Sequence, residues 1–551
     1  MVVQSFDTEI VIPEPSRLLE GLRDTGYDFN TAVADIVDNS IAADAEHVKI
    51  TAYMTIDQGI RLSVADDGIG MDRNGLVSAM KYGAPAREGK HSLGKFGLGL
   101  KTASTSCCRR LKVISRSDAN AQPLCAVWDL DYIASEGNWV LRFEDTTIDD
   151  DEEYNACAEG TTGTLVVWEK CDRLLSARYS NPKSAAFKRA FERSLVVLRQ
   201  HLAMVYQRFL DKNDERARNV EITLNGDVVE PWDPFCKELG HDYGTKYYPI
   251  KAEDSDGNEI SSKVKVTAYI VPAKQELATD AEKSRVMPSY GNDDLKSYSE
   301  ESLGGFYIYR ENRLIHWGDW FNMPGVDFHN KLCRFELSFD EELDEVFQVD
   351  IKKSRILLND ELREAIFEFA GPIKNEGNRR YRGNERKVVA KTSKGMHEDA
   401  NAQLAKSQQT TGVKSKLGVD NSGNPTISNK FGTTTIPYDV IEDESEHPVK
   451  VEESLEDGLL WMPAFIGSRH GVLLNSNHPF YQRFYGTNKE NPNAVQAMDS
   501  VFLAFAQAET SAWQQEAKEN LEEARYEASR ILRKYADALP DVATEDFEDE
   551  Q

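Results

Sequence analysis

No stretch of the 551-residue chain approaches the roughly 18 consecutive apolar residues of a membrane helix, so no transmembrane span is expected. The opening MVVQSFDTEIVIPEPS lacks a basic start followed by an apolar run, which argues against a secretory leader and makes the cytoplasm the expected address. Cysteine is scarce: seven residues, only Cys107 and Cys108 adjacent, make neither a disulfide framework nor a spaced zinc set. The ten histidines show no close pair with metal-ligand spacing, and no Gly-x-Ser-x-Gly or Cys and His arrangement supports other hydrolase chemistry. Basic residues are outnumbered 65 to 93, and the net charge of −28 repels nucleic acid at long range without excluding a local basic stretch. Internal repeats are also absent.

What is present is an ordinary globular composition, 40% apolar and 29% charged, in a chain too long for one core. About three or four domains are therefore expected. Through residues 16–45, apolar positions recur at helical spacing in SRLLEGLRDTGYDFNTAVADIVDNSIAADA, which reads as two helices. VKITAYM and IRLSVAD, separated by turn residues, read as a β-hairpin, and LKVISRS, CAVWDL, WVLRFE and GTLVVWEK as further strands. A helical stretch over 175–210, the strands EITLNGDVV, KVKVTAYIV, GGFYIYREN and RFELSFD, and a helix near DELREAIFEFA read as a second α+β domain.

From about residue 372 to 450 large apolar residues thin out, and a mobile linker is expected. Its basic opening, with Lys374, Arg379, Arg380, Arg382, Arg386, Lys387, Lys391 and Lys394, could contact phosphate backbones, but a solvated linker is the favoured reading. The last hundred residues hold a short mixed segment, an unbroken helical pattern from about 493 to 539, and an acidic tail.

Three segments in the first domain carry chemistry. In ADIVDNSIAADA, Asp35 and Asn39 lie four residues apart on one helical face. An amide oxygen there suits magnesium, and a carboxylate one turn earlier can orient or deprotonate water. In VADDGIGMD a strand runs into Asp66, then Gly68, Gly70 and Met71: a carboxylate to accept from an exocyclic amine, glycines for close approach, and a polarizable surface for a ring. In HSLGKFGLGLKTAS, Gly94, Lys95, Phe96, Gly97, Leu98, Gly99, Leu100 and Lys101 form a Gly-rich string opening a helix, which binds phosphates through backbone N–H groups. Taken singly, the first also reads as a solvated helix face, the second as a plain turn, and the third as a common glycine string.

Taken together and in this order, the three resemble the N box, the Asp-x-Gly-x-Gly box and the lid box of the gyrase, heat-shock-ninety, histidine kinase and MutL (GHKL) superfamily. YIYRENRLI and FQVDIKKSRILL resemble the transducer domain of its MORC-like and MutL-like branch. The resemblance covers roughly residues 10–370. It implies an α+β fold: a Bergerat-type sandwich over 1–172, a ribosomal-S5-like transducer over 173–371, a flexible linker over 372–450, and a mainly helical region over 451–551. It further implies ATP with Mg2+ on Asn39, Asp35 as the water-activating residue, Asp66 on the adenine, and Gly94–Lys101 as the lid. Gly163 and Thr164 match the late Gly-Thr pair beside the adenine, and Lys353, or else Lys352, matches the transducer lysine that meets the terminal phosphate.

Two departures stand out. Asp35 occupies the position of the usual catalytic glutamate, and Ala42 that of a pocket aspartate, although Asp44 is near. They imply slow hydrolysis or none. The expectation is a magnesium-dependent ATPase acting as an ATP-gated homodimeric clamp on double-stranded DNA or a partner protein, away from membranes. A non-hydrolysing nucleotide switch, a topoisomerase-like ATPase subunit and, last, a protein histidine kinase are the alternatives.

Overall fold

A computed structural model describes residues 14–24, 27–55, 59–82, 99–175, 184–253, 259–273, 276–287, 303–326, 328–344, 346–347, 358–392, 396–411, 416–419, 425–429, 432–435, 440–441, 447–466, 469–512 and 515–539. It divides into two units, Met1–Asn378 and Arg379–Gln551.

In the first unit, α1 (Pro15–Arg23) precedes α2 (Phe29–Ala42), which starts where Asp28 accepts from the N–H groups of Asn30 and Thr31 at 2.9 and 3.1 Å. Next come β1 (His47–Met54), β2 (Ile60–Asp66), α3 (Arg73–Met80), α4 (Gly99–Cys107), β3 (Cys108–Arg116), β4 (Leu124–Asp129), α5 (Leu130–Glu136), β5 (Arg142–Glu144), α6 (Ile148–Ala158) and β6 (Gly163–Cys171). After α7 (Ala185–Val205) and α8 (Gln207–Leu210), β7 (Glu221–Leu224) and β8 (Asp227–Val228) complete an eight-stranded sheet ordered β5-β4-β3-β6-β2-β1-β7-β8.

Strand periodicity makes this sheet a sandwich. Ile60, Leu62 and Val64 of β2, with Val113, Val166 and Trp168, pack against α2, α4 and α7. The alternate residues Ala65, Ile114, Leu165 and Val167 pack against Tyr154 and Ala158 of α6. On that second face Arg61 and Lys112 enclose the fully buried Asp150 at 2.8 and 3.0 Å, and Glu169 joins both cations.

The second sheet of this unit comprises β9 (His241–Glu253), β10 (Glu259–Ile270), β11 (Gly305–Arg310), β12 (Arg313–Asp319) and β13 (Cys333–Phe339), ordered β12-β11-β13-β10-β9, with α9 (Asp280–Val286) between β10 and β11. α10 (Asp360–Thr392) lies against it: Tyr248 donates to Ala365 O at 3.1 Å, and a Cβ on Gly377 would collide with Cys333 Sγ.

The second unit holds α11 (Glu398–Thr411) and a three-stranded antiparallel sheet, β14 (Lys416–Val419), β15 (Pro425–Asn429) and β16 (Gly432–Thr435). A four-stranded sheet of β17 (Val440–Ile441), β18 (Val449–Glu452), β19 (Trp461–Ile466) and β20 (Arg469–Asn475) follows, with helices α12 (Pro479–Thr487), α13 (Pro492–Ser511) and α14 (Gln515–Tyr535). Its core gathers Leu460, Trp461, Val472, Tyr481, Phe502 and Ala506.

Three expectations are corrected. EITLNGDVV does not join the second sheet: β7 pairs in parallel with β1, burying Ile222 and Leu224 under α7. Alternation announces a strand but not its partner. The stretch from 372 is not irregular throughout, because α10 continues through Pro372 to Thr392 and further helix and strands follow. Within α10, Lys374 is buried, its ammonium on Pro324 O at 2.6 Å and Gly325 O at 3.1 Å, so it is withdrawn from any phosphate backbone. The helical pattern over 493–539 breaks at Ala512, which is extended, and Arg525 of α14 meets Glu509 of α13 at 3.2 Å through two nitrogens. Among the described residues no helix is long and apolar enough to cross a membrane.

Burial alone would raise the Asp150 carboxyl, but hydrogen bonds from Arg61, the Thr147 N–H and Lys112 hold it at about 2, below its ordinary 3.8. A depressed carboxyl stabilises the fold above its unfolded value and loses that contribution as pH falls. Asp150→Asn is therefore expected to cost about 3 kcal/mol near neutral pH, leaving two buried cations short of a partner. Unfolding followed by circular dichroism should show this gap closing between about pH 4 and pH 2; an equal gap at every pH would refute the assignment.

Candidate nucleotide-binding site

The site forms where β2 and β3 end on either side of the start of β6. Register pairs Asp66 with Thr164 and Thr164 with Ser115, so three polar side chains stand in a row on the sheet face that carries α2. Ser40 of α2 donates to Asp66 Oδ2 at 2.7 Å, and the Gly68 N–H to Asp66 Oδ1 at 3.1 Å. Ser115 Oγ lies 2.8 Å from Gly163 O, 2.9 Å from Thr164 Oγ1, and accepts from the Met71 N–H at 2.8 Å. Burial is the largest influence on Asp66 and raises its carboxyl from 3.8 to about 6, against the Ser40 hydroxyl and the Gly68 and Thr164 backbone.

The glycines serve close approach. A Cβ on Gly68 would lie 2.6 Å from Ala43 O, and one on Gly163 would overlap Asp66 O at 2.2 Å. Gly70 has φ +64°, and a Cβ there would sit 1.9 Å from Arg116 O. Ile69 N–H bonds Ala43 O at 2.8 Å, and Thr162 Oγ1 bonds Gly68 O at 2.8 Å, so the loop after β2 is tied to both α2 and β6.

Along α2, the Asn39 amide nitrogen donates to Asp35 O at 2.8 Å, which turns its oxygen away from the helix backbone. Asp35 is buried, accepts the Tyr27 hydroxyl at 2.8 Å through Oδ2, and stands next to Gly99, where a Cβ would lie 3.4 Å from the same oxygen. Burial first, then Asp35, raises the Tyr27 phenol far above its ordinary range, so it stays protonated and donates. The helix α4 thus begins beside the Asp35 carboxylate. Gly99 and Leu100 are half-buried there.

Two expected members stand elsewhere. Lys101, read as part of the lid, is buried: its ammonium donates to Ala79 O at 2.8 Å, and burial lowers it from 10.5 to about 8. It sits on the core side of α4, where the last turn of α3 offers a carbonyl. Asp44 does not fill the place left by Ala42: it follows the helix end at φ 61°, 80% exposed, 3.8 Å from Arg218. Gly94, Lys95, Phe96, Gly97, Leu98, Lys352 and Lys353 lie outside the described residues.

Residues 27–164 match the family described as histidine kinase-, DNA gyrase B- and HSP90-like ATPase. Residues 27–164 are a GHKL ATPase domain. ATPase morc-1 of Caenorhabditis elegans is 32% identical over 88 residues, 16% of this chain and 10% of that protein. ATPase MORC2B of Mus musculus is 35% identical over 77 residues, 13% of this chain and 8% of its own. Within that domain the similarity lies close to the MORC branch, while each match spans a tenth or less of the relative's length. The crystal structure of the N-terminal domain of a DNA repair protein aligns with 66% of this chain and 98% of its own at 17% identity, with a TM-score of 0.35, too distant to carry an argument.

Sequence reasoning missed Tyr27, Ser40 and Ser115. Ser115 was discoverable from the alternation of LKVISRS, in which Leu111, Val113 and Ser115 share a face. Gly70→Ala is expected to destabilise the first unit by about 2 kcal/mol or more, through strain and overlap together. Gly137→Ala, at the same φ of 64° with nothing within 4 Å, should cost only about 1 kcal/mol. Equal melting shifts for the two variants would show that the overlap at Gly70 is relieved without cost.

Proposed function

We propose that the chain binds ATP in the first sheet's pocket and hydrolyses it slowly, cycling as a clamp between two copies of itself. The observation that carries the reading is the row Asp66, Thr164 and Ser115 set against the Asp35 and Asn39 face of α2. In it Asp66 accepts from the exocyclic amine of adenine, retaining lone pairs after Ser40 and Gly68 have donated. The outward amide oxygen of Asn39 fits a hard cation. Magnesium, when bound there, supplies charge neutralisation on the phosphate oxygens.

Hydrolysis on this reading is one displacement. A water oxygen bonds to the terminal phosphorus, the bond to the bridging oxygen breaks, ADP leaves, and the water's proton passes toward Asp35. Lys353, or else Lys352, would meet the terminal phosphate, as the resemblance to the transducer motif implies. Closure of the lid and pairing of two copies would follow from tighter binding of ATP to the closed state. Double-stranded DNA or a partner protein is the client of such a clamp. Ala42 and the outward Asp44 favour, as a second reading, a switch that closes without turnover.

Steady-state ATP turnover and calorimetric ATP binding test this directly. Asp35→Asn is expected to keep affinity within about threefold and lower kcat by about a hundredfold or more. Asp66→Asn should weaken binding by about tenfold or more. Wild-type affinity should also fall as pH drops below about 6, where Asp66 takes up its proton. ATP-dependent pairing with wild-type turnover no higher than that of Asp35→Asn would leave only the switch.

A further inference from the structure

Arg313 reaches the nucleotide-site helix from the second sheet. It begins β12 immediately after a two-residue turn, Glu311 and Asn312, whose φ values of 47° and 67° give the left-handed geometry of tight hairpins. Asn312 anchors that turn, donating to Arg216 O at 2.8 Å and accepting from Arg208 at 3.0 Å. Register then sets Arg313 directly opposite Arg310, and the two are 4% and 3% exposed. Like charges facing each other across a hairpin repel, and each cation loses its hydration on burial.

The two arginines resolve this differently. Arg310 stays within its own half of the unit, pairing with Asp344 just beyond β13 at 2.6 and 2.8 Å. Arg313 leaves its sheet: its Nε donates to Asp38 Oδ1 at 2.9 Å, and its Nη2 stands 4.0 Å from Asp35 Oδ1. Burial works against its charge, but Asp38 and Asp35 outweigh this and hold its proton more tightly than in free arginine.

Among the described residues, several groups from other elements face Asp35 and Asp38. Tyr27 donates to Asp35 from the segment before α2, and the Tyr206 hydroxyl stands 2.8 Å from Asp38 Oδ1. Asp28, at the start of α2, adds a further negative charge that acts on His201. His201 of α7 supplies no positive charge at neutral pH, since burial lowers its imidazole to about 4. Thr102 of α4 is neutral and bonds Tyr27. Among the described residues, Arg313 is a cation that faces both carboxylates, bridging them from the second sheet.

We propose that Arg313 is a positioning residue for ATP hydrolysis: the second sheet, through this guanidinium on Asp38 and beside Asp35, holds the turn of α2 that carries Asp35 in place, so seating of β12 on α2 sets turnover. The inference rests on the hydrolytic reading above. It also assigns the second sheet a contact with the catalytic carboxylate that is separate from any lysine on the terminal phosphate.

The test uses the full chain as wild type, Asp35→Asn, Arg313→Gln and Arg313→Lys. Turnover is measured beside affinity for a non-hydrolysable ATP analogue and the melting temperature. Arg313→Gln should lower kcat about tenfold or more and keep analogue affinity within about threefold. Arg313→Lys, which keeps the charge but not the two-pronged guanidinium, should recover part of that rate, and if Arg313→Gln does not fold its own kcat should fall about threefold or more below wild type with affinity kept. A kcat within about twofold of wild type in the folded variants, or a parallel fall in rate, affinity and melting temperature, would overturn the proposal. Wild-type turnover no higher than that of Asp35→Asn would overturn the hydrolytic reading and this proposal together, whereas an active wild type with an unaltered Arg313→Gln overturns the proposal alone.

Discussion

The hydrogen bond from the Ser40 hydroxyl to Asp66 sets the roll of α2, and the rest of the pocket depends on that roll. Successive residues of a helix are separated by about 100°, so tying Ser40 to the sheet fixes where Asn39 and Asp35, one turn apart, must look. That direction is the start of α4, beside Gly99. The same bond fixes how closely α2 approaches the loop after β2, where Gly68 abuts Ala43 with no room for a side chain. A hydroxyl and a carboxylate, both buried, thereby decide the separation of helix and sheet to within a few tenths of an ångström.

The eight-stranded sheet handles buried carboxyls in two opposite ways. Asp150, on the α6 face, is saturated by Arg61, Lys112 and a backbone N–H, and its proton affinity falls. Asp66, on the α2 face, accepts among the described residues from the neutral Ser40 hydroxyl and backbone N–H groups, and burial raises its proton affinity. The first arrangement closes a surface and leaves no acceptor unused; the second leaves an acidic group with capacity to spare. Two residues of one type, on opposite faces of one sheet, are separated in role by whether cations attend them.

Much of this was legible in the sequence. The first two motifs lie on the helix and at the strand end where they were expected, and the described end of the third, from Gly99, begins a helix, because each is also a local structural signal: an amphipathic stretch, an apolar strand running into glycines, a glycine string before a helix. What was not legible depended on partners distant in sequence. Ser115 matters through its register opposite Thr164, which no local pattern specifies. Lys101 was assigned by its place in a motif, yet its azimuth on α4 directs it to Ala79 O. The Gly371 and Pro372 pair reads as a breaker, but packing of Gly377 on Cys333 holds α10 to the sheet beyond it. Arg313 lies inside the quoted YIYRENRLI, and only three-dimensional proximity to Asp38, 275 positions away, gives it meaning.

The parallel pairing of β7 with β1 bears on how the chain is cut and made. A fragment ending at residue 172 would contain every residue of the nucleotide row and yet lack β7, β8 and α7. Its β1 would present the backbone of His47–Ile50 as a bare edge, and α2 would expose the apolar surface that Leu198 and Leu202 now cover. Open edges of this kind recruit other chains into mixed sheets. During synthesis the same vulnerability lasts until residues 221–228 have emerged, so the soluble limit of the nucleotide domain lies well past its last motif, near Val229, whose side chain closes that core.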